Sequence, residues 1–278
     1  MAASREKITI CIPQWQVKRY ITVCLRAIRK YSARYDLEVI IVDNGSKDES
    51  LDYLRSLKWI RLIERPEETY TNWPTNVFTG WDLGLRQATG RFYVTMHSDV
   101  FVKADDWLDP LLEQMRQGPK VAGAGAWKLF LENPVYAWQK RVTGYLVDRV
   151  KQVVGRKEHV EWKVGHYPRD YCAMYRTEVL RREGLQFLLH EGKSPAYAKG
   201  GGYSIAAQLW DAGYETRVIP LREMAARVVH VAHGTAGVTK EKRMSERRRQ
   251  RKLERKVEQI FQQPWVRALE ADASLDEP

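Results

Sequence analysis

Acidic side chains end two of the apolar stretches in the first hundred residues. Asp43 closes one stretch, and the triplet His97, Ser98 and Asp99 closes another. A carboxylate such as Asp43 can accept a hydrogen bond from the imide or amino edge of a nucleobase. A carboxylate such as Asp99 suits a hard divalent cation that is shared with phosphates. The residue types therefore predict a site for a phosphorylated nucleotide and a metal ion.

Each of these positions also has a purely structural interpretation. The sequence Asp43-Asn44-Gly45-Ser46 is typical of a tight turn, in which the carboxylate caps the helix that follows. The triplet that ends at Asp99 is likewise compatible with a simple turn at the end of a strand. Sequence alone leaves both interpretations open for each position.

The elements that must position these side chains alternate between apolar runs and helical patterns. This alternation indicates βαβ units and an α/β fold with a parallel sheet, whose ligands bind at the carboxyl ends of the strands. Strands are predicted over 8–12, 37–42, 59–63, 92–96, 121–131, 171–175, 216–219 and 227–231. Helices are predicted over 18–35, 46–57, 75–89, 106–117, 138–154 and 202–212.

Composition is that of an ordinary globular chain. The 278 residues include 46 basic and 35 acidic side chains, and 44% are hydrophobic, which excludes disorder, collagen or coiled coil for the whole chain. The three cysteines form no CxxC pair, which fits a reducing compartment. No signal peptide and no apolar run near the ~20 residues of a membrane span are visible, so a soluble, cytoplasmic protein is expected.

Positive charge is concentrated near the C-terminus. Residues 240–256 hold ten Lys or Arg and three Glu, a large part of the net charge of +11. Such a segment can bind RNA, anionic lipid or an acidic partner, although a solvated helix face is the plainer interpretation and no aromatic residues are interleaved for base stacking. A nucleic-acid-binding protein is therefore an alternative. It predicts that removing 240–278 abolishes the main activity, whereas an enzyme in the body would survive the deletion.

The order and spacing of three motifs carry a family resemblance. The segments ITICIPQW, LEVIIVDNGSKDES and NVFTGWDLGLRQATGRFYVTMHSDV resemble the family 2 glycosyltransferases, over about residues 7–115 and more thinly to about 235. The resemblance implies a GT-A fold, a Rossmann-like, mostly parallel sheet flanked by helices. It implies a nucleotide-sugar-binding half over 1–100 and an acceptor-binding half over 101–237, followed by a charged helical tail over 238–278.

The resemblance also implies an activity, the transfer of a hexosyl or deoxyhexosyl group with inversion. The donor would be a UDP-, dTDP- or GDP-sugar, the acceptor a hydroxyl of a saccharide or lipid-linked molecule, and the cofactor Mn²⁺ or Mg²⁺, in the synthesis of a glycan or glycoconjugate. By position, Pro13 and Trp15 would border the nucleobase and Asp43 would bind its edge. Asp82 stands where the family usually has Asn before Gly84, and would also belong to the nucleotide-sugar site.

Metal-binding residues follow from the same resemblance. Asp99 matches the second acid of the family's Asp-x-Asp motif, while His97 replaces the first and Ser98 lies between them. His230 and His233 match the place where the family often has a histidine near the diphosphate or metal. Neutral imidazole is a good ligand for Mn²⁺, so both are candidate ligands beside Asp99.

The acceptor half departs from the family at one position. An acidic pair is expected at the start of the helix that ends in Gly213-Tyr214, but Gly201 and Gly202 stand there. Inverting transfer needs a carboxylate that takes the proton from the acceptor hydroxyl. Glu191, in the preceding loop, and Asp170 are the replacement candidates. If neither serves, the chain is a catalytically degenerate nucleotide-sugar-binding protein.

Residues 138–154 form a basic amphipathic pattern. Apolar side chains recur at helical spacing with Lys and Arg between them. This pattern fits a helix that lies on the inner face of an anionic membrane and recruits a lipid-linked acceptor, or a helix packed on the body with a solvated basic face.

Overall fold

A computed structural model describes residues 6–67, 73–127, 134–155, 167–188, 201–231 and 254–278. In these ranges the strands are β1 (Lys7–Gln14), β2 (Asp36–Asp43), β3 (Ile60–Glu64), β4 (Phe92–Met96), β5 (Val100–Val102), β6 (Val121–Ala126), β7 (Cys172–Arg176), β8 (Glu215–Ile219) and β9 (Val228–His230). The helices are α1 (Lys18–Tyr31), α2 (Ser50–Ser56), α3 (Trp73–Gln87), α4 (Asp109–Arg116), α5 (Pro134–Val153), α6 (Thr177–Arg182), α7 (Gly201–Asp211), α8 (Leu221–Arg227) and α9 (Pro264–Ala271). Residues 254–261 are also helical, and a 3₁₀ turn covers Ala273–Asp276.

Seven strands form the central sheet, in the order β3-β2-β1-β4-β7-β6-β8. The strands β3, β2, β1 and β4 are parallel to one another. β7 is antiparallel to both β4 and β6, while β6 and β8 are parallel. A separate antiparallel ribbon joins β5 to β9. The α/β class with a mostly parallel sheet is therefore confirmed.

Both faces of the sheet are buried, which explains why its strands read as continuous apolar runs. Along β1, Ile8, Ile10 and Ile12 belong to the core shared with α1 and α4. Cys11 points to the opposite face, into a second core that includes Trp81 of α3. Alternate residues of a strand thus belong to two apolar layers, and the buried polar residues inside β1 and β4 are the threonines Thr9 and Thr95.

β1 extends farther than the sequence predicts, because Pro13 does not end it. Its pairing with β4 stops at Cys11, whereas its pairing with β2 continues through Pro13 to Gln14, which lies opposite Asp43. Gly80 of α3 contacts this extension closely, since a Cβ at Gly80 would lie 2.9 Å from Cγ of Pro13. The last residues of β1 therefore project beyond β4 at the carboxyl edge of the sheet.

The end of the chain packs onto α1. Ile260, Phe261, Val266 and Leu269 are buried in the same core as the apolar face of α1. Arg26 of α1 is 7% exposed and forms an ion pair with Asp276. Removal of 240–278 would thus take core residues with it, so the expectation that the body survives this deletion does not hold. Residues 240–253 of the basic segment lie outside the described ranges.

α5 is the longest of the labelled helices, with 20 residues. Among the helices in the described part of the chain, none has both the length and the apolar character to cross a membrane.

Candidate functional site

Three side chains with metal-binding chemistry meet at the carboxyl end of β4. His97 and Asp99 lie in the turn between β4 and β5, which is closed by a hydrogen bond from the backbone N–H of Val100 to the carbonyl of His97 at 3.2 Å. The ribbon places His230 of β9 opposite Val100 of β5. His230 Nε2 is 3.3 Å and His97 Nδ1 3.8 Å from Oδ1 of Asp99.

The donor atoms of His97, Asp99 and His230 lie within 4.8 Å of one another. Ligand atoms around one ion with bonds of about 2.1 Å are at most about 4.2 Å apart, so small side-chain rotations would bring the three donors onto a single divalent cation. Two imidazoles and one carboxylate are a donor set for a transition-type ion. The site can therefore hold a metal such as Mn²⁺, and its nitrogen donors are less suited to Mg²⁺.

Burial keeps one of these imidazoles in its neutral, ligating form. Burial lowers the pKa of His97, while the carboxylates of Asp170 and Asp99 act in the opposite direction. The net effect is a lowered pKa, so at neutral pH His97 offers a lone pair rather than a positive charge.

Aromatic rings hold both imidazoles in place. Trp81 stacks on His97, with ring centroids 5.6 Å apart and an angle of 21° between the planes. Tyr171 stacks on His230 at 4.9 Å and 11°. The hydroxyl of Tyr171 donates a hydrogen bond to the carbonyl of Trp127, which fixes the ring that supports His230. These contacts pre-orient two of the three ligands.

Asp170, directly before Tyr171, faces the start of α7. Its Oδ2 accepts a hydrogen bond from the backbone N–H of Gly202 at 3.3 Å. A Cβ on Gly201 would overlap the same Oδ2 and would lie 2.7 Å from Cε1 of Phe78. The Asp170 carboxylate thus lies where a side chain from the first residue of α7 would begin, the position at which the resemblance implies an acid.

Asp43 closes the turn that its sequence favours. Its Oδ1 accepts hydrogen bonds from the backbone N–H groups of Gly45 and Ser46, at 3.1 and 2.9 Å. Its Oδ2 accepts from the side-chain amide of Gln14, which also donates to Oγ of Ser46. Within the described ranges, Oε1 of Gln14 is buried and has no hydrogen-bond partner. The strand ends therefore present a buried amide–carboxylate pair.

The other residues expected at the nucleotide lie around this pair or beside the metal group. Pro13 is buried and Trp15 half-buried at the end of β1. The next residue, Gln16, has a φ of 48°, an uncommon conformation for a residue with a side chain. Ser98 is buried between the two candidate metal ligands of its turn.

Asp82 anchors a neighbouring segment of the chain through both oxygens of its carboxylate. Its Oδ1 accepts a hydrogen bond from the backbone N–H of Phe187 at 2.9 Å, and its Oδ2 from that of Leu188 at 3.0 Å. The carboxylate therefore anchors the segment after α6 onto α3, and its place at the nucleotide-sugar site stays a prediction. Glu191 and His233 lie outside the described residues.

Sequence reasoning missed the residues that support the site. Tyr171 and Trp81 follow no motif, and aromatic residues on strands and helices most often serve as packing. Gln14 could have been noticed, because it stands at a strand end between Pro13 and Trp15. Only the assembled sheet shows that it faces Asp43.

Similarity to known proteins covers most of the strands that build this site. The sequence model of the family described as "Glycosyl transferase family 2" matches residues 9–184. The chondroitin synthase of Escherichia coli is 23% identical over 205 residues, which cover 69% of this chain and 28% of that protein. The chain thus spans little more than a quarter of the length of this curated relative.

A solved structure shares the fold. The mannosyltransferase PcManGT from Pyrobaculum calidifontis, in complex with GDP-Man and Mn²⁺, matches with a TM-score of 0.54 and 18% identity, over 97% of this chain and 74% of that one. At this identity the likeness concerns the fold, and it confirms the GT-A type of sheet that the motifs implied.

Proposed function

The chain belongs to glycosyltransferase family 2, and we propose that it transfers a hexosyl or deoxyhexosyl group from a nucleotide-diphospho-sugar to an acceptor hydroxyl. The transfer would proceed with inversion and would serve the synthesis of a glycan or glycoconjugate. The observation that carries the proposal is the group formed by His97, Asp99 and His230, with Asp170 close enough to influence the pKa of His97. Residues 1–100 would form the donor half and 101–237 the acceptor half, and the charged segment from 238 onward would lead into the buried residues that cover α1.

We propose that the cofactor is Mn²⁺ in preference to Mg²⁺. His97, Asp99 and His230 would hold it, and two nitrogen donors favour the softer ion. When bound, the ion supplies positive charge that stabilises the diphosphate leaving group. PcManGT was solved with GDP-Man and Mn²⁺, which supports a nucleotide-sugar and the same metal here.

We propose that Asp170 is the general base, since it is the acidic candidate inside the described residues. Its carboxylate takes the proton of the acceptor hydroxyl as the oxygen forms its bond to the anomeric carbon. The bond from that carbon to the diphosphate oxygen breaks, and its electron pair leaves with the nucleoside diphosphate. The backbone N–H of Gly202 orients the carboxylate through its bond to Oδ2. Attack opposite the leaving group gives inversion.

The nucleobase would bind at the ends of β1 and β2. Gln14 supports this placement, because its Oε1 is a buried acceptor that an imide or amino N–H of a base could satisfy. Asp43 positions Gln14 by accepting a hydrogen bond from the side-chain amide of Gln14. Trp15, half-buried beside the pair, would border the base together with Pro13.

Calorimetric titration tests the donor site. Purified protein is titrated with UDP, dTDP and GDP, each with and without Mn²⁺, and Asp43→Asn and Asp99→Asn are run beside it. We expect one nucleotide to bind in a metal-dependent manner, with affinity reduced in both variants. The turn at Asp43 can persist in Asn, whose oxygen still accepts from Gly45 and Ser46. Absence of binding to all three nucleotides would reject the donor site. Binding without turnover on any acceptor would favour a degenerate binding protein.

A further inference from the structure

An exposed apolar stripe runs along the second half of α5. Leu146, Val147, Val150, Val153 and Val154 are 57, 52, 63, 86 and 59% exposed. In the described part of the chain, Leu221 is the one other large hydrophobic side chain with comparable exposure, at 43%. Isolated exposed apolar residues are ordinary, whereas a contiguous group on one element marks a contact surface.

The spacing of these residues places them on one side of the helix. Residues 146, 150 and 153 follow one another at intervals of four and three, and 147 and 154 flank them. Tyr145 and Gln152 are less exposed and lie on the opposite side. The stripe is therefore turned outward, and the two residues opposite it are the less exposed ones.

Basic side chains border the stripe on both sides. At 100° per residue, Arg149 follows one edge of the stripe and Lys151 the other, and both are exposed. Arg149 is held at its edge by hydrogen bonds to the hydroxyl of Tyr145 at 3.2 Å and to Oε1 of Gln152 at 3.0 Å. In an anionic membrane, the apolar band would contact the acyl chains and the two cations would contact the lipid phosphates.

We propose that α5 lies in the interface of an anionic bilayer, with its apolar stripe among the acyl chains and its cations at the lipid phosphates. A second copy of the chain fits less well, because stripe-to-stripe contact would bring the bordering cations of both copies together. The formal net charge of +11 acts in the same direction, since it attracts the whole molecule to a negative surface.

This inference also defines the acceptor class, and in that respect it rests on the proposed function. α5 begins seven residues after Trp127. The carbonyl of Trp127 accepts a hydrogen bond from Tyr171, and Tyr171 is the neighbour of Asp170 in the sequence. Chain connectivity thus links the membrane helix to the acceptor half. We therefore expect the acceptor hydroxyl to be carried on a lipid of the membrane that α5 contacts.

Vesicle co-sedimentation tests the membrane contact on the full chain. The probes are vesicles of phosphatidylcholine alone and vesicles with phosphatidylglycerol added. The triple variant Leu146→Gln, Val150→Gln, Val153→Gln removes the stripe, and Leu221→Gln is its control on α8. The pair Arg149→Gln, Lys151→Gln removes the bordering charge. Its control is Lys58→Gln, Arg222→Gln, which removes two exposed cations elsewhere.

We expect the parent chain to sediment with anionic vesicles. In the triple variant the partition coefficient should fall at least about tenfold, since the aliphatic groups that enter the acyl layer are gone. The charge pair should lose severalfold, and both controls should sediment like the parent. Equal sedimentation of the parent with both vesicle types, or equal losses in variants and controls, would overturn the proposal. A dimer in light scattering that the triple variant dissociates, without vesicle binding, would assign the stripe to a second copy.

Nucleotide binding in solution separates this inference from the proposed function. None of the substituted residues belongs to the proposed donor site, so every variant should bind nucleotide with Mn²⁺ as tightly as the parent does. The same measurement shows that each variant is folded. If the parent binds nucleotide but does not sediment with vesicles, only the membrane contact is rejected. Absence of nucleotide binding in the parent rejects the proposed function alone.

Discussion

The carboxylate of Asp170 fills the space that a side chain on Gly201 would need. Gly201 has a φ of 47°, which further favours a residue without Cβ, and Gly202 donates its N–H to the same carboxylate. The two glycines and the aspartate are therefore mutually dependent. An acid supplied from the segment before β7 stands where the resemblance implies one from the start of α7.

Replacing Asp170 with Asn should abolish most of the transfer reaction. The amide cannot take the acceptor proton, and loss of a general base costs about 10²- to 10⁴-fold in rate. Donor binding should be unchanged, because Asp170 is not among the three candidate metal ligands. Single-turnover assays with saturating donor, together with nucleotide titration, measure the two effects separately.

A relocated carboxylate provides the control for that variant. The double variant Asp170→Gly, Gly201→Asp removes the overlap with the Asp170 carboxylate and supplies an acid from α7, although the ring of Phe78, 2.7 Å from the new Cβ, must rotate to admit it. Asp tolerates a positive φ better than most residues. We expect it to recover part of the rate lost in Asp170→Gly alone. Full activity of Asp170→Asn would instead reject Asp170 as the base.

Asp99→Asn should weaken Mn²⁺ binding far more than it weakens the fold. The substitution keeps the shape of the side chain but removes the negative charge that both imidazoles face at 3.3 and 3.8 Å. Affinity should fall by more than the roughly 10- to 100-fold that loss of an outer partner costs. Electron paramagnetic resonance of added Mn²⁺ measures it directly. Unchanged affinity would place the metal elsewhere.

Tyr171 should affect metal binding through the orientation of His230. Tyr171→Phe keeps the stacked ring and loses only the hydroxyl that binds the carbonyl of Trp127, so Mn²⁺ affinity should stay close to that of the parent. Tyr171→Leu removes the ring, and affinity should fall roughly tenfold. Equal affinity in both variants, each shown to be folded by circular dichroism, would mean that stacking does not position the ligand.

Arg26→Met should lower the free energy of unfolding by about 2–4 kcal/mol, because it leaves Asp276 and two backbone carbonyls without their cation. Arg26 binds Asp276 at 2.5 Å and the carbonyls of Leu269 and Glu270 at 3.2 and 2.5 Å. Arg19→Met is the matched control on α1. Its ion pair with Glu270 is more exposed and should be worth less than about 1 kcal/mol. Urea unfolding of both variants gives the comparison.

Much of the fold could be predicted because β2 and β4 are apolar on both faces and end at polar residues. Pro13 misled the prediction of the end of β1, since its missing N–H is tolerated beyond the last residue that pairs with β4. β5 was missed because three residues carry no periodicity. The short helices α6 and α8 were missed for a similar reason.

The site was predictable only where one residue type implies one chemistry. Asp99, His97 and His230 were named from motif positions, and the structure brings them together through a ribbon that no local pattern announces. Asp170 could not be ranked above Glu191, because the space beside Gly201 is a property of the assembled sheet and helix. The anchoring hydrogen bonds of Asp82 could not be predicted either, since the backbone partner Phe187 is 105 positions away along the chain.

The contact between Arg26 and Asp276 also bears on how the chain is made. The two residues are 250 positions apart, and at about 5–20 residues per second a ribosome needs roughly ten seconds to a minute to add that length. During this interval one face of α1 has been synthesised but its cover has not. The nascent chain therefore presents an apolar helix face with a solitary guanidinium, which is a natural target for chaperones that act during translation. Covering α1 is a long-range step, and the folding rate should depend on the segment around Asp276 more than its small size suggests.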